Sequence, residues 1–223
     1  LSTLADAGNP ASGNDIVFRA RRVGTPEIEN LLPAGYLSKS VSIDLGVAAK
    51  LQAASIYLVA QAEDRALSTS LGLNKLQTNF LFDKGLGLLN DIVTLPAKVL
   101  VKAADAHVNI GVNAQVIAND VIGIYATARS DASGQVAGSV MAVGYSQADA
   151  TATIDVAAGV QIRANQAINL TSSGEAIANM TSATDDAKSF SGSVAISNAR
   201  LTSTANVDAT AVIHGGRTVN VRS

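Results

Sequence analysis

Apolar residues alternate with small or polar ones in short bursts along this chain, and the bursts recur. The clearest stretch runs from Val108 to Val143. There Val108, Ile110 and Val112 alternate, a turn follows, Val116 and Ile117 make a brief apolar touch, Asn119-Asp120 turns again, and Ile122 and Ile124 resume. Alternation at a period of two marks strands with one buried face, and each burst is too short for a helix.

The same scheme returns elsewhere in one register. Moving forward 46 residues maps Val108, Ile110, Val116, Ile122 and Ile124 onto Ile154, Val156, Ile162, Ile168 and Leu170. Another 51 residues leads to Ala205, Val207, Ile213, Val219 and Val221. Moving back 65 to 66 residues, Ile43, Leu45, Val47, Leu51, Ile56 and Leu58 fill equivalent slots. A half-unit also recurs, Ala137-Gly138-Ser139-Val140 resembling Ser191-Gly192-Ser193-Val194. A main unit plus a half-unit predicts two rungs of about 20 to 25 residues in each period, and a regular part some 25 to 35 Å long.

Short strands, turns and a fixed period predict an all-β chain, a parallel β-helix or solenoid, with one short helical insertion. An Ig-like sandwich is the competing reading, since alternation is equally expected there. Residues 1–40 read as an irregular N-terminal segment, 41–67 as the first solenoid rungs, 68–102 as the insertion, and 103–223 as regular repeats. In the insertion Leu73, Leu76, Phe80 and Leu81 fall at helical spacing behind Ser68 and Ser70 as N-caps, with Gly85 as a C-cap. Leu88, Leu89, Ile92 and Val93 form a second stripe that ends before Pro96. Leu73, Leu76, Phe80, Leu88, Leu89 and Ile92 are the candidate interaction surface, either folded back on the solenoid flank or docked on a neighbour. Ser130 to Gly134 and Ser182 to Asp186, rich in Ser, Asp, Gly and Thr, are expected at exposed corners.

Composition narrows the function. Apolar residues make up 48% of the 223, yet aromatics only 4%, with no Trp, which suits a thin core filled by Val, Ile, Leu and Ala. Sixteen basic and 18 acidic side chains leave a net charge of −2, no footprint for nucleic acid. Without cysteine there is neither a disulfide framework nor a thiolate metal site. No apolar run is long enough to span a membrane. Asp185-Asp186 could offer oxygens to surface calcium, but the calcium-roll nonapeptide is missing, so no metal or cofactor is expected.

A catalytic site is not expected either. The outward slots hold Asn109, Gly123, Asp155, Asn169, Asp208 and Asn220 with Arg163 nearby, and Asp155 stacked with Asp208 would lack an acid or base partner. His107 and His214 do not share a repeat position, and Arg19, Arg21 and Arg22 read as a solvated strand face. Thr151, Thr153, Thr202 and Thr204 approach the row an ice-binding face would need but do not extend into the earlier copies. The strand Val219-Asn220-Val221 is expected to present an unpaired edge.

The units VNIGVNAQVIANDVIGIYATARSDASG and ATIDVAAGVQIRANQAINLTSSGEAIA resemble the repeats of very large secreted bacterial surface proteins, the filamentous haemagglutinin-like and related giant adhesins. The resemblance covers 41–67 and 103–223. It implies a right-handed parallel β-helix, an extracellular or cell-surface location, and service as an adhesin stalk or filament unit. The partners it implies are further copies of the chain or the rest of a longer one, and a host or cell-surface glycan. A polysaccharide-acting β-helix enzyme or a glycan-binding module is the alternative.

Overall fold

A strand inside a sheet needs backbone partners on both sides, and this chain supplies them from its own neighbouring turns. The computed structural model describes residues 2–7, 15–23, 35–65, 97–138, 141–184 and 192–223. These form β1 (Ser2–Ala7), β2 (Ile16–Val23), β3 (Gly35–Leu45), β4 (Lys50–Ala53), β5 (Ile56–Arg65), β6 (Ala97–Ile110), β7 (Gln115–Ala118), β8 (Val121–Gly138), β9 (Met141–Val156), β10 (Gln161–Ala164), β11 (Ala167–Thr184), β12 (Gly192–Val207), β13 (Val212–Gly215) and β14 (Thr218–Arg222). No helix occurs among the described residues.

The strands make three sheets. A front sheet runs β1-β2-β5-β8-β11-β14, a back sheet β12-β9-β6-β3, and a short sheet β13-β10-β7-β4. All pairings are parallel except β1 on β2. From β3 onward the chain visits back, short and front sheet in that fixed order, and each return lands one strand further along. The front and back sheets pack face to face, and the short sheet closes one end of the space between them.

The register agrees with the sequence offsets. Val108 pairs with Ile154 and Ile43, Val116 with Ile162 and Leu51, Ile122 with Ile168 and Ile56, and Ile168 with Val219. The inner column Ile56, Ile122, Ile168 is wholly buried, each side chain resting on one of nearly the same shape. The bend into the short sheet needs a left-handed residue, and Ala48, Asn113 and Gly159 supply it at successive levels with φ of 55°, 58° and 67°. At Gly159 a Cβ would also collide with Asn113 Oδ1.

The interior tapers. Beside the short sheet it holds Ile, Leu and Val. Farther along the long sheets the inward slots are Ala104, Ala106, Ala126, Ala128, Ala150 and Ala152, with Ser172 in the slot of Ala126, and then Ser130 and Ser146, all buried. Small side chains let the two sheets close together, so little volume is left for larger ones. A second, smaller cluster of Val136, Ala142 and Met180, with Leu100 against it, fills the far end.

Several expectations change. From β6 onward, pairs one turn apart lie 46 or 51 residues apart, so the period is a single rung and not two. The half-unit match also fails, because Gly192 pairs with Met141. The stretch from Ser130 to Gly134 is no corner but the middle of β8; its small residues face a narrow core, as buried Ser130 and Ala132 show. Ser182 to Thr184 close β11, while Asp185 and Asp186 lie outside the described residues. Ala97 to Lys102, expected in the helical insertion, open β6; inward Lys98 and Lys102 hid the alternation. The expected helices and Leu73, Leu76, Phe80, Leu88, Leu89 and Ile92 lie outside the described residues. Within 1–40, Ile16–Val23 and Gly35 onward already belong to the stack. Five parallel levels in the front sheet give a height of only about 20 Å.

The taper predicts a sharp contrast. Ala152→Leu, in the narrow zone, is expected to lose about 1–3 kcal/mol in urea unfolding, whereas Thr153→Leu, on the outer face of the same strand, stays within about 0.5 kcal/mol. Equal stability of the two variants would contradict close apposition of the sheets.

Candidate functional site

Stacking turns a one-residue choice into a row running up the molecule, so the chemistry on the surface lies in columns. On the outer back face one column reads Asp44, Asn109, Asp155, Asn206. Asn109 donates to Asp44, and Asn206 Nδ2 donates to Asp155 Oδ1 at 2.7 Å. Carboxylate and amide alternate, which avoids stacking like charges. The bond from Asn109, and then one from Ser42, hold the Asp44 carboxyl below its ordinary range. Asp208 does not stack on Asp155 as expected; it begins the next bend, where its carboxylate accepts from the Thr210 amide and hydroxyl and is held low by those bonds.

The neighbouring columns are Ser42, His107, Thr153, Thr204 and Ser40, Asp105, Thr151, Thr202. The four threonines form a two-by-two array, interrupted below by His107 and Asp105. Arg163 lies in the short sheet between Ile117 and His214. Gly123, Asn169 and Asn220 share a column with Tyr57, and Asn220 Nδ2 donates to Asn169 Oδ1 at 2.9 Å.

The outer front face carries the row that sequence reasoning missed. Glu63, Arg129 and Glu175 are successive neighbours, related by the same offsets as Ile56, Ile122 and Ile168. Arg129 Nε lies 3.1 Å from Glu175 Oε2, and Arg21 reaches Glu63 at 3.9 Å. Beside them run Gln61, Thr127 and Ser173, whose hydroxyls at 127 and 173 are 3.3 Å apart. Together these residues line a groove of about 320 Å³. Carrying the repeat offsets past the first residues of each unit would have found the row.

One charged cluster faces inward. Asp64 is fully buried, 3.6 Å from Lys102 Nζ, and accepts from the Ala103 amide at 3.3 Å. Burial pushes its carboxyl up to about 6, against the pull of Lys39, and burial also lowers Lys102. One rung later the same slots hold Ser130 and Ala148. Desolvation therefore outweighs attraction here.

Among the described residues no group of three His, Asp or Glu is placed to hold a metal, and no helix is long and apolar enough to cross a membrane. No family profile, curated protein or solved structure matches this chain.

The inward pair predicts a pH response. Folded Asp64 keeps its proton up to about pH 6, whereas unfolded it does so only to about pH 4. Between these values the folded state binds the extra proton, so this group lowers stability as pH rises through the window. Asp44 and Asp208 act in the opposite sense, so the readout is the difference in urea unfolding between the native chain and Asp64→Ser from pH 4 to 7. Asp64→Ser with Lys39→Ala and Lys102→Ala, which removes all three buried charges, is expected to match or exceed native stability at pH 7, while Asp64→Ser alone, which leaves both lysines buried, costs about 3 kcal/mol. A triple variant less stable than the native chain at pH 7 would refute this.

Proposed function

We propose that the three-sheet winding is a right-handed parallel β-solenoid and that this segment is a length of rigid rod, an adhesin stalk or filament unit at an extracellular bacterial surface. Parallel crossover connections are right-handed in nearly all proteins, which supports the hand. One observation carries the role. In the last turn the inward residues Leu201, Val207, Val219 and Val221 are 53%, 39%, 43% and 46% exposed, while Ala150, Val156, Ile168 and Leu170 in the same slots one rung below are buried. The core simply continues to the end face.

An end face of core side chains and open strand edges suits a further turn of the same kind, whether from the same chain or another copy. The contact is heterologous and extends without closing. In this reading the segment catalyses nothing, needs no cofactor, and binds no nucleic acid. Its partners are copies of itself or the rest of a longer chain.

Electron microscopy of the concentrated chain, with its intact mass, tests the proposal. Rods of constant thickness and growing length are expected, and Val219→Lys with Val221→Lys, at exposed positions, should abolish them. A particle that stays a single unit at every concentration would contradict assembly through this face.

A further inference from the structure

The inward charges have no counterpart in the next turn. Where Lys39, Asp64 and Lys102 enter the core, the following rung places Ala104, Ser130 and Ala148 in the same slots. Charged groups held in a core against their desolvation cost are where reactive side chains are found. Asp64 Oδ1 lies 3.6 Å from Lys102 Nζ and makes no hydrogen bond, whereas Oδ2 accepts from the Ala103 amide at 3.3 Å. The donor that holds the carboxyl is thus the residue after Lys102, and the backbone of β6 fixes acid and amine side by side. Asp64 belongs to the front sheet and Lys102 to the back sheet, so the pair bridges the core.

We infer that Asp64 and Lys102 condense into an amide that joins the front and back sheets covalently. The Lys102 Nζ lone pair attacks Asp64 Cγ, for which a turn of the flexible lysine stem brings the two atoms to about 3–3.5 Å. Oδ2 takes up the developing charge against the Ala103 N–H and remains as the amide oxygen. Oδ1, carrying the acid proton, leaves as water on taking a second proton from Lys39, which recovers one from the nitrogen. Lys39 is buried and its charge acts on the Asp64 carboxyl, which suits it to this transfer. Acid plus amine gives amide plus water, so the step needs no oxidant and no activated co-reactant. Burial favours the uncharged acid and the uncharged amine, the two forms that react. The bond consumes both charges and ties β5 to β6 in the core; it uses up its own groups and turns over no substrate. The pH response and the triple variant described above belong to the chain before the bond closes, and intact mass tells the two forms apart.

The test is the intact mass of the full chain, followed after refolding, with a tryptic map of the product. Folded chain is expected to lose about 18 Da, one water, and to yield a branched peptide joining residue 64 to residue 102; chain kept in urea should lose nothing. Lys102→Arg keeps the positive charge but offers no amine to acylate, and should abolish the loss. Lys39→Met should slow it at least about tenfold. The map of the native chain requires no substitution, so a variant that folds poorly by circular dichroism leaves the test intact. The inference is overturned if the folded chain keeps its full mass, if the branch joins residue 64 to another lysine, if the water is lost within one unbranched peptide, as a succinimide would lose it, or if the loss persists in Lys102→Arg. An unchanged rate in Lys39→Met would overturn the role given to that residue.

Discussion

Every residue in the regular part of this chain must sit on its counterpart from the previous turn. The in-register parallel ladder satisfies the backbone, and its consequence is that side chains meet in columns of like position. A column tolerates only what stacks. Ile56, Ile122 and Ile168 fit because their shapes match; Asp44, Asn109, Asp155 and Asn206 fit because carboxylate alternates with amide. A slip of one residue would exchange the buried and wet faces of a whole strand, so the pattern fixes the register.

The same ladder explains the composition. Two long sheets facing each other leave a thin interior, and alanine fills it through most of its length. Large side chains gather only where the short sheet holds the sheets apart and where Val136 and Met180 fill the far end. Asp64 and Lys102 break the rule in an early rung, and the later rungs return to Ser130 and Ala148. The interior is thus most costly in its early turns and most regular in its later ones.

The columns of large β-branched residues were legible in the sequence because Ile and Val recur at fixed offsets, and those offsets give the pairings of β6 to β14. The length of a turn was not legible. Ala132, Ser133 and Gly134 carry the composition of a bend while forming the middle of a strand, since the neighbouring sheet leaves no room for anything larger. Lys98 and Lys102 concealed the start of β6 by placing charge in inward slots. The row of Glu63, Arg129 and Glu175 was readable in principle, but it lies deep in strands whose small neighbours drew no attention.

The register itself is the claim on which everything else rests, and the absence of cysteine makes it directly measurable. Nitroxide labels at introduced cysteines replacing Thr153 and Thr204, which are paired on neighbouring rungs of the outer back face, should lie about 5 Å apart at the backbone and show strong dipolar broadening. Labels replacing Thr153 and Asn198 should lie about 20 Å apart along the neighbouring strand and show little. Broadening in the first pair alone is the predicted result; comparable spectra from the two pairs would contradict an in-register stack.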